Sequence, residues 1–600
     1  GVMLRYSAHE LAYDISYKAL ELIKNKGVYN ILIAVLPKQY VNLYYMKMIY
    51  EAFLPIAHQL VIYRHDEKNL GKVLVNSIEA DGFPCQTLLM EILKACEIDL
   101  FLFDLIETKK EIENHPNPKA MLRKMLKSLL HTFISQSNNI NPSSAQNVFI
   151  GLNYFEGFDI NKRSDFFWFI DSGIDPSLVT VYYESPTMMT RHDNDQTAEE
   201  FFHENGIRQV KLWEWKPSTV NEYFMDLEIK LRSLYPSDEV DKWLKRSALY
   251  LCNRSSFWAS FFDYYGIKIH LDSTMSGLDS INKQIAIKKL GGCSIGKLRS
   301  YPTNLKGSFL GFYPNDVFFN WGRDSALRIH ESQKHINNIL VSGFTYKSTS
   351  LKHKNKVPKK NIKFESKKTK FNILLLDNNH GPNNKLAQSI ETSVMVTFYQ
   401  TFLDWIKDDK NVGLVIKPKK PHILDALPDI INQIREIEIT TGRCELIRNS
   451  FQKMANTYLN GIDIVVGTSE FYPSSIIECV IHGAKAVFYD YANLRYHEHG
   501  LYKWGENKVV FSNLSEMFDA VKSYKNDPLS NPTLGEWSEH LDELDHFRDG
   551  KGGERIGTYM RWLQEGFFEG LDSESAINYA NKLYQMAWGN DALPVDLKEA

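Results

Sequence analysis

From Gly461 to Asp490 the chain alternates in a way that few folds accommodate. A short apolar run, Ile462 to Val466, is followed by a polar stretch, a helix-length segment that opens at Pro473 and halts at Gly483, and a second apolar run, Ala486 to Tyr489. Runs of this length and character suit strands buried on both faces of a parallel sheet. Proline fits the first turn of a helix, where its missing N–H has no intrahelical partner to lose. Ser474 and Ser475 then fall where unpaired backbone N–H groups and the positive end of the helix dipole coincide, a corner that favours phosphate. Gly483 supplies the stop. The segment therefore reads as strand, loop, helix and strand of a parallel α/β sheet, with an anion-favouring corner at its loop.

At 600 residues the chain exceeds one ordinary core, and at least two domains are expected. Apolar residues make up 44% and aromatic residues 13%, the composition of a chain that folds. Residues 1–345 alternate apolar runs with helical patterns. Strands are expected at 31–36, 61–63, 100–103, 148–152, 166–170, 179–183, 210–213, 267–270, 317–320 and 339–342. Residues 1–140 form an extension of unknown role, and 141–345 a Rossmann-like domain. The stretch 346–370 reads as a linker, since Leu351–Lys370 holds nine lysines and almost nothing apolar. Strands at 371–377, 413–416, 462–466, 486–489 and 509–511, with helical patterns at 387–406 and 423–437 between them, give a second α/β domain over 371–540. The tail, 541–600, reads as helical.

The formal charge of −3 gives no reason to expect a nucleic-acid partner. No apolar run reaches the length of a membrane span. The start lacks the pattern of a secretory signal, and the six cysteines are scattered without a C-x-x-C pair. Both features fit free thiols in a reducing cytoplasm. No metal site is expected. Asp193-Asn-Asp195 precedes a helix start and reads as a cap, His497 and His499 form too small a set, and Gly291–Gly296 reads as a mobile loop beside a cleft.

Several motifs carry a resemblance. Thr468-Ser-Glu-Phe-Tyr-Pro-Ser-Ser475 resembles a paired-serine loop that holds a donor phosphate. Val415-Ile-Lys-Pro-Lys-Lys420 lies where related enzymes have a strand ending in a His-Pro pair. Phe547-Arg-Asp-Gly-Lys-Gly-Gly-Glu-Arg-Ile556 resembles an F-R-D-G-K-x-x-x-R-I tail. Asn320-Trp-Gly-Arg-Asp-Ser325 and Ile339-Leu-Val-Ser-Gly343 add weaker echoes. Together they resemble the GT-B glycosyltransferases of bacterial surface-polysaccharide biosynthesis. The similarity is to CMP-sugar transferases for sialic and other ulosonic acids, and to CDP-glycerol-type polymer transferases. The resemblance spans roughly residues 310 to 570. It implies an α/β, GT-B-like fold of two facing Rossmann-like domains with a C-terminal helix packing back. It also implies a metal-independent enzyme whose nucleotide-sugar is a co-substrate, with no separate cofactor. The acceptor would be a glycan or a lipid-linked glycan, met in the cytoplasm with peripheral contact at the inner membrane.

On that reading Ser474, Ser475, Lys417 and Lys419 face the donor phosphate. Thr468, Ser469 and Glu470 line the donor loop, with Glu470 accepting from ribose hydroxyls as carboxylates do in dinucleotide folds. Lys420 is a weaker member. Lys417 replaces the histidine of the His-Pro pair and meets phosphate as a point charge. A base must take the acceptor proton. Asp171 and Glu184 follow expected strands, and Asp263 is a third candidate. Arg548, Asp549, Lys551 and Arg555 are read either as a clasp over the interdomain cleft or as a turn into a helix. Two other functions fit the same residues: a polyol-phosphate transferase using CDP-glycerol, and a non-catalytic scaffold.

Overall fold

The computed structural model describes residues 2–65, 73–74, 103–104, 149–154, 168–169, 172–186, 195–216, 222–272, 277–301, 313–332, 336, 338–345, 369–381, 390–448, 454–469, 473–491 and 500–589. Two parallel sheets organise them. A separate two-residue pair, β1 (Val73–Leu74) and β2 (Phe103–Asp104), precedes the first.

The first sheet is built from β3 (Phe149–Asn153), β4 (Val179–Tyr183), β5 (Arg208–Lys211), β6 (Ile267–Asp272), β7 (Cys293–Lys297), β8 (Val317–Asn320) and β9 (Asn338–Val341). All pairings are parallel, in the order β5-β4-β3-β6-β7-β8-β9. Parallel strands need crossovers, and buried helices supply them on both faces. Helices Glu239–Tyr264 and Leu278–Lys289 pack on one face. The two C-terminal helices, Gly552–Phe568 and Ser573–Trp588, return to the other, where Ile556, Tyr559, Leu563 and Tyr584 meet Ile150, Leu152, Leu271 and Phe319. A methyl at Gly557 would lie 2.0 Å from the Trp168 carbonyl oxygen, so only glycine lets that helix seat so deeply.

The second sheet comprises β10 (Phe371–Leu376), β13 (Val412–Lys417), β14 (Cys444–Leu446), β15 (Ile464–Ser469), β16 (Ala486–Asp490) and β17 (Val510–Phe511), in the order β14-β13-β10-β15-β16-β17. A small parallel pair, β11 (His380–Gly381) and β12 (Ile390–Glu391), lies between β10 and the helix Thr392–Asp408. The chain thus has the GT-B-like layout of two doubly wound α/β sheets with C-terminal helices packed back.

Four expectations from sequence are corrected. Residues 31–36 are not a strand: Gly27–Ile33 is a helix, whose Val28, Tyr29 and Leu32, with Leu36 beyond, follow helical spacing into the core. Residues 61–63 end the helix Lys38–His65, in which Val41, Tyr45, Ile49, Phe53 and Ala57 recur every fourth residue. Tertiary packing there overrides the local preference of β-branched residues. Trp168 and Phe169 form a turn, with the rest of 166–170 outside the described residues. Gly291–Gly296 is no mobile loop: Cys293–Lys297 is an interior strand, buried throughout. Its small residues are required, because a side chain at Gly296 would meet the Phe318 ring at 2.5 Å. The first three helices also join the core over the first sheet, since Tyr44 and Tyr45 reach the carbonyls of Ser247 and Leu244.

Candidate functional site

Numbered along the chain, the strands of the second sheet run 3-2-1-4-5-6, so the order reverses between β10 and β15. Open α/β sheets bind ligands at such a reversal, outside the carboxyl ends of the strands. Those ends carry Asp377 after β10, Lys417 on β13, Ser469 on β15 and Asp490 on β16. Alternation along each strand sorts them by face. Val415 and Val465 pack with Ile476, Ile477 and Val480 of the helix Ser474–Ile481, so Lys417 and Ser469 project on that helix's side. Ile416 and Val466 pack with Phe398 and Tyr399 on the other side. Thr468 belongs to that second side, and its hydroxyl donates to the Tyr489 carbonyl at 3.2 Å.

The helix Ser474–Ile481 sits low on β15 because Gly467 has no side chain. A methyl there would come within 3.0 Å of Ile476 Cδ1. Pro473 is the N-cap rather than the first helical residue, and it offers no side chain to the free amides. Ser474 and Ser475 are half-buried. Ser474 Oγ accepts from the Tyr301 backbone N–H at 2.9 Å, so this helix end touches the chain that leaves β7 of the first sheet. Lys417 is near enough to work against the burial that drives the Cys479 thiol upward. Behind the crevice, burial raises Asp377 to about 6, opposed by the Tyr399 hydroxyl, the Lys419 amide and the two lysines Lys417 and Lys419. Its Oδ2 accepts from Tyr399 at 2.7 Å and its Oδ1 from the Lys419 backbone N–H. Asp377 therefore ties the Lys417-Pro418-Lys419 turn to β10. Lys419 itself is exposed, with Nζ on Asn378 Oδ1 at 2.9 Å. Lys420 is the N-cap of a short helix, Pro421–Leu424. Glu470 and Asp171 lie outside the described residues.

The first sheet reverses between β3 and β6, and its carboxyl edge is rich in buried polar groups. Glu184 follows β4, and its carboxylate accepts from Lys283 Nζ, whose side chain is 1% exposed. Burial opposes the Lys283 charge, but Glu184, Asp272 and Asp279 outweigh it and hold its pKa above the ordinary value. Trp258 lies 4.7 Å from the ammonium. Beside them the Tyr182 hydroxyl and His270 Nε2 are 2.8 Å apart, and burial drops His270 to about 3, so the imidazole is neutral. Asp263 is on another edge. It closes the helix that leads into the amino end of β6, where it accepts from Tyr223 at 2.6 Å.

The charged tail motif gathers elsewhere. Arg555 is buried, pairs in a fork with Asp549 at 2.5 and 3.0 Å, donates to the Ser342 carbonyl at 3.1 Å and covers the Phe547 ring at 3.6 Å. Asp545 accepts from the Phe344 N–H at 3.0 Å. Arg548 is in the left-handed region with φ 50°, and pairs with Asp542 at 3.3 Å. Lys551 pairs with Glu554 at 3.3 Å. These residues pin the returning tail to the last residues of the first sheet, and Leu541, Leu544 and Phe547 beside them pack with Phe344 and with Ile476 and Val480 of the helix Ser474–Ile481.

Sequence reasoning missed Asp377, Asp272, His270 and Lys283. A carboxylate directly after an apolar run, as in Leu376-Asp377 and Leu271-Asp272, was a readable sign of a strand's functional end. Lys283 had no sign, since it sits in an amphipathic helix like any surface lysine. Among the described residues no group of three or more His, Cys, Asp or Glu could hold a metal, and no helix is long and apolar enough to cross a membrane.

No protein-family model matches the chain, and no curated protein is similar to it. Solved structures are. A UDP complex of S. aureus MnaA is 12% identical with a TM-score of 0.39, covering 70% of this chain and 97% of that one. The wall teichoic acid polymerase TagF is 11% identical with a TM-score of 0.39, over 74% and 98%. MurG of Acinetobacter baumannii is 8% identical with a TM-score of 0.34, over 69% and 99%.

Proposed function

We propose that the chain is a glycosyltransferase that moves a sugar from a nucleotide donor, CMP-linked on the motif resemblance, to a surface glycan or lipid-linked acceptor. What supports the reading is that Lys417 and Ser469 end β13 and β15 on the side of the helix that Ser474 and Ser475 open, at the strand reversal between β10 and β15. A phosphate there would meet a helix amino end, hydroxyl donors and a point charge together.

In the proposed reaction an acceptor hydroxyl attacks the anomeric carbon. The bond from that carbon to the phosphate oxygen breaks, and its electron pair leaves with the nucleotide. Ser474, Ser475 and Lys417 hold the departing phosphate. The acceptor proton passes to a carboxylate, Asp171 or Glu184. Transfer would occur on the cytoplasmic side, with peripheral membrane contact where the acceptor is lipid-linked.

The test is calorimetric titration with CMP, UDP and CDP-glycerol, followed by donor turnover. Lys417→Ala should weaken CMP binding about tenfold, the scale of one lost charge-assisted contact. Selective turnover of CDP-glycerol would move the reading to polyol-phosphate transfer. Absence of any nucleotide binding would remove it.

A further inference from the structure

The crevice has a second wall. In a doubly wound sheet the helices that follow the two strands at the reversal lie on opposite faces and direct their amino ends at the same opening. One is the helix Ser474–Ile481. The other is the helix Thr392–Asp408, 17 residues long, which packs on the opposite face through Met395, Phe398, Tyr399 and Phe402. Its amino end is uncapped, because Glu391 at the N-cap makes no side-chain bond to it, and its first turn holds no acidic residue. The N-cap side chain thus leaves the first-turn amides, and the dipole they carry, without a cap.

The surrounding side chains are unsatisfied as well. His380 is 6% exposed, yet its Nε2 has no hydrogen-bond partner. It stands in register with Ile390, two residues before the helix begins, which sets its backbone beside that end. Thr392 Oγ1, on the first helical residue, is buried without a partner. So is Oδ1 of Asn379, whose backbone carbonyl accepts from the Ile390 N–H at 2.9 Å. Buried polar atoms left unpaired destabilise a fold, and several at one uncapped helix end need a reason. Burial holds the pKa of His380 below its ordinary value, so the ring can offer a neutral N–H. A hydroxyl, an imidazole N–H and helix amides are the donor set of an anion site.

We propose that the amino end of the helix Thr392–Asp408, with His380 and Thr392, binds a second anionic group of the donor: a distal phosphate, or a carboxylate carried by the transferred sugar. This rests on the nucleotide-donor reading above. It divides the donor between two helix ends, the first phosphate at Ser474 and Ser475 and the second anion at Thr392.

Calorimetry with CMP, CDP and a CMP-linked ulosonic acid tests it. The wild-type chain should bind at least one of the two ligands that carry a second anionic group about tenfold more tightly than CMP. His380→Ala and Thr392→Val should each remove most of that advantage and leave CMP affinity unchanged, which also shows that the variants fold. His380→Gln, which keeps an N–H, should restore part of it. Loss confined to CDP identifies a distal phosphate, and loss confined to the ulosonate identifies a carboxylate. If CMP binds and both variants keep the full preference, or the wild-type chain shows none, the second subsite is wrong and the nucleotide reading stands. If the wild-type chain binds none of the three, the nucleotide reading fails and this inference falls with it. Should His380→Ala fail to fold, Thr392→Val decides alone.

Discussion

Asp377→Asn gives the sharpest physical test of the crevice. Asp377 is buried at the carboxyl end of the first strand of the second sheet, and burial lifts its pKa from 3.8 to about 6. A raised carboxylate favours the protonated fold. Its contribution is fully present below the unfolded pKa and is lost as pH rises through the folded one. The full span is the difference, 6 minus 3.8, or about 2 pH units. At about 1.4 kcal/mol per unit this corresponds to about 3 kcal/mol. Between pH 7 and pH 5 the linkage relation gives the wild-type chain about 1.4 kcal/mol of stability relative to a side chain that cannot titrate. Asparagine keeps an oxygen for the Lys419 amide, and the Tyr399 hydroxyl can turn to accept from its amide nitrogen. Unfolding in urea at pH 5, 6 and 7, followed by circular dichroism, should therefore show the variant gaining on the wild type as pH rises. A difference that stays flat across this range would mean that Asp377 is not held as a buried charge. The account of a carboxyl raised by burial behind the crevice would then fail.

Other outcomes follow from the same contacts. Arg555→Ala should cost about 3 kcal/mol, since it strips a buried fork from Asp549 and a bond from the Ser342 carbonyl, and CMP titration should be unaltered; normal stability with lost CMP binding would make the motif a ligand contact. Gly557→Ala should lower the thermal midpoint by an amount corresponding to about 2 kcal/mol or more, because its methyl has no room against the Trp168 carbonyl; an unchanged melt would contradict the seating of the C-terminal helix. Glu184→Gln should cut turnover by about a hundredfold or more if Glu184 takes the acceptor proton, while CMP affinity holds. Retained turnover would leave Asp171 as the candidate.

The second sheet was the more legible half. Its strands are short apolar runs bounded by glycine, proline and charge, and burial on both faces leaves little else for Phe371–Leu376 or Ile464–Val466 to become. β14 went unseen because Cys444-Glu445-Leu446 is too short and too polar to signal a strand, and it lies at the sheet edge. The amino-terminal third misled for a related reason. Ile31 and Val61 sit in dense apolar stretches where strand and helix periods cannot be separated by composition alone, and long-range packing decided for helix. Ser474 and Ser475 were readable as a helix start and Lys417 as a strand end, because each has a local sequence form. Lys283 and His380 were not. Their importance lies in burial beside partners, or beside none, that are far away in the chain or separated from them by a loop.

Ser474 joins the two halves of this reading. Its oxygen already accepts the Tyr301 N–H, and Tyr301 belongs to the segment leaving the first sheet. A hydroxyl has one proton and two lone pairs, so accepting that bond leaves the O–H able to donate. The contact therefore does not compete with a phosphate oxygen. It fixes where the hydroxyl can direct its proton, and it lets an anion at this helix end bear on the position of the first sheet through a single side chain. Ser475 makes no such bond among the described residues, so the paired serines are not equivalent: one couples this corner to the other sheet, and the other does not.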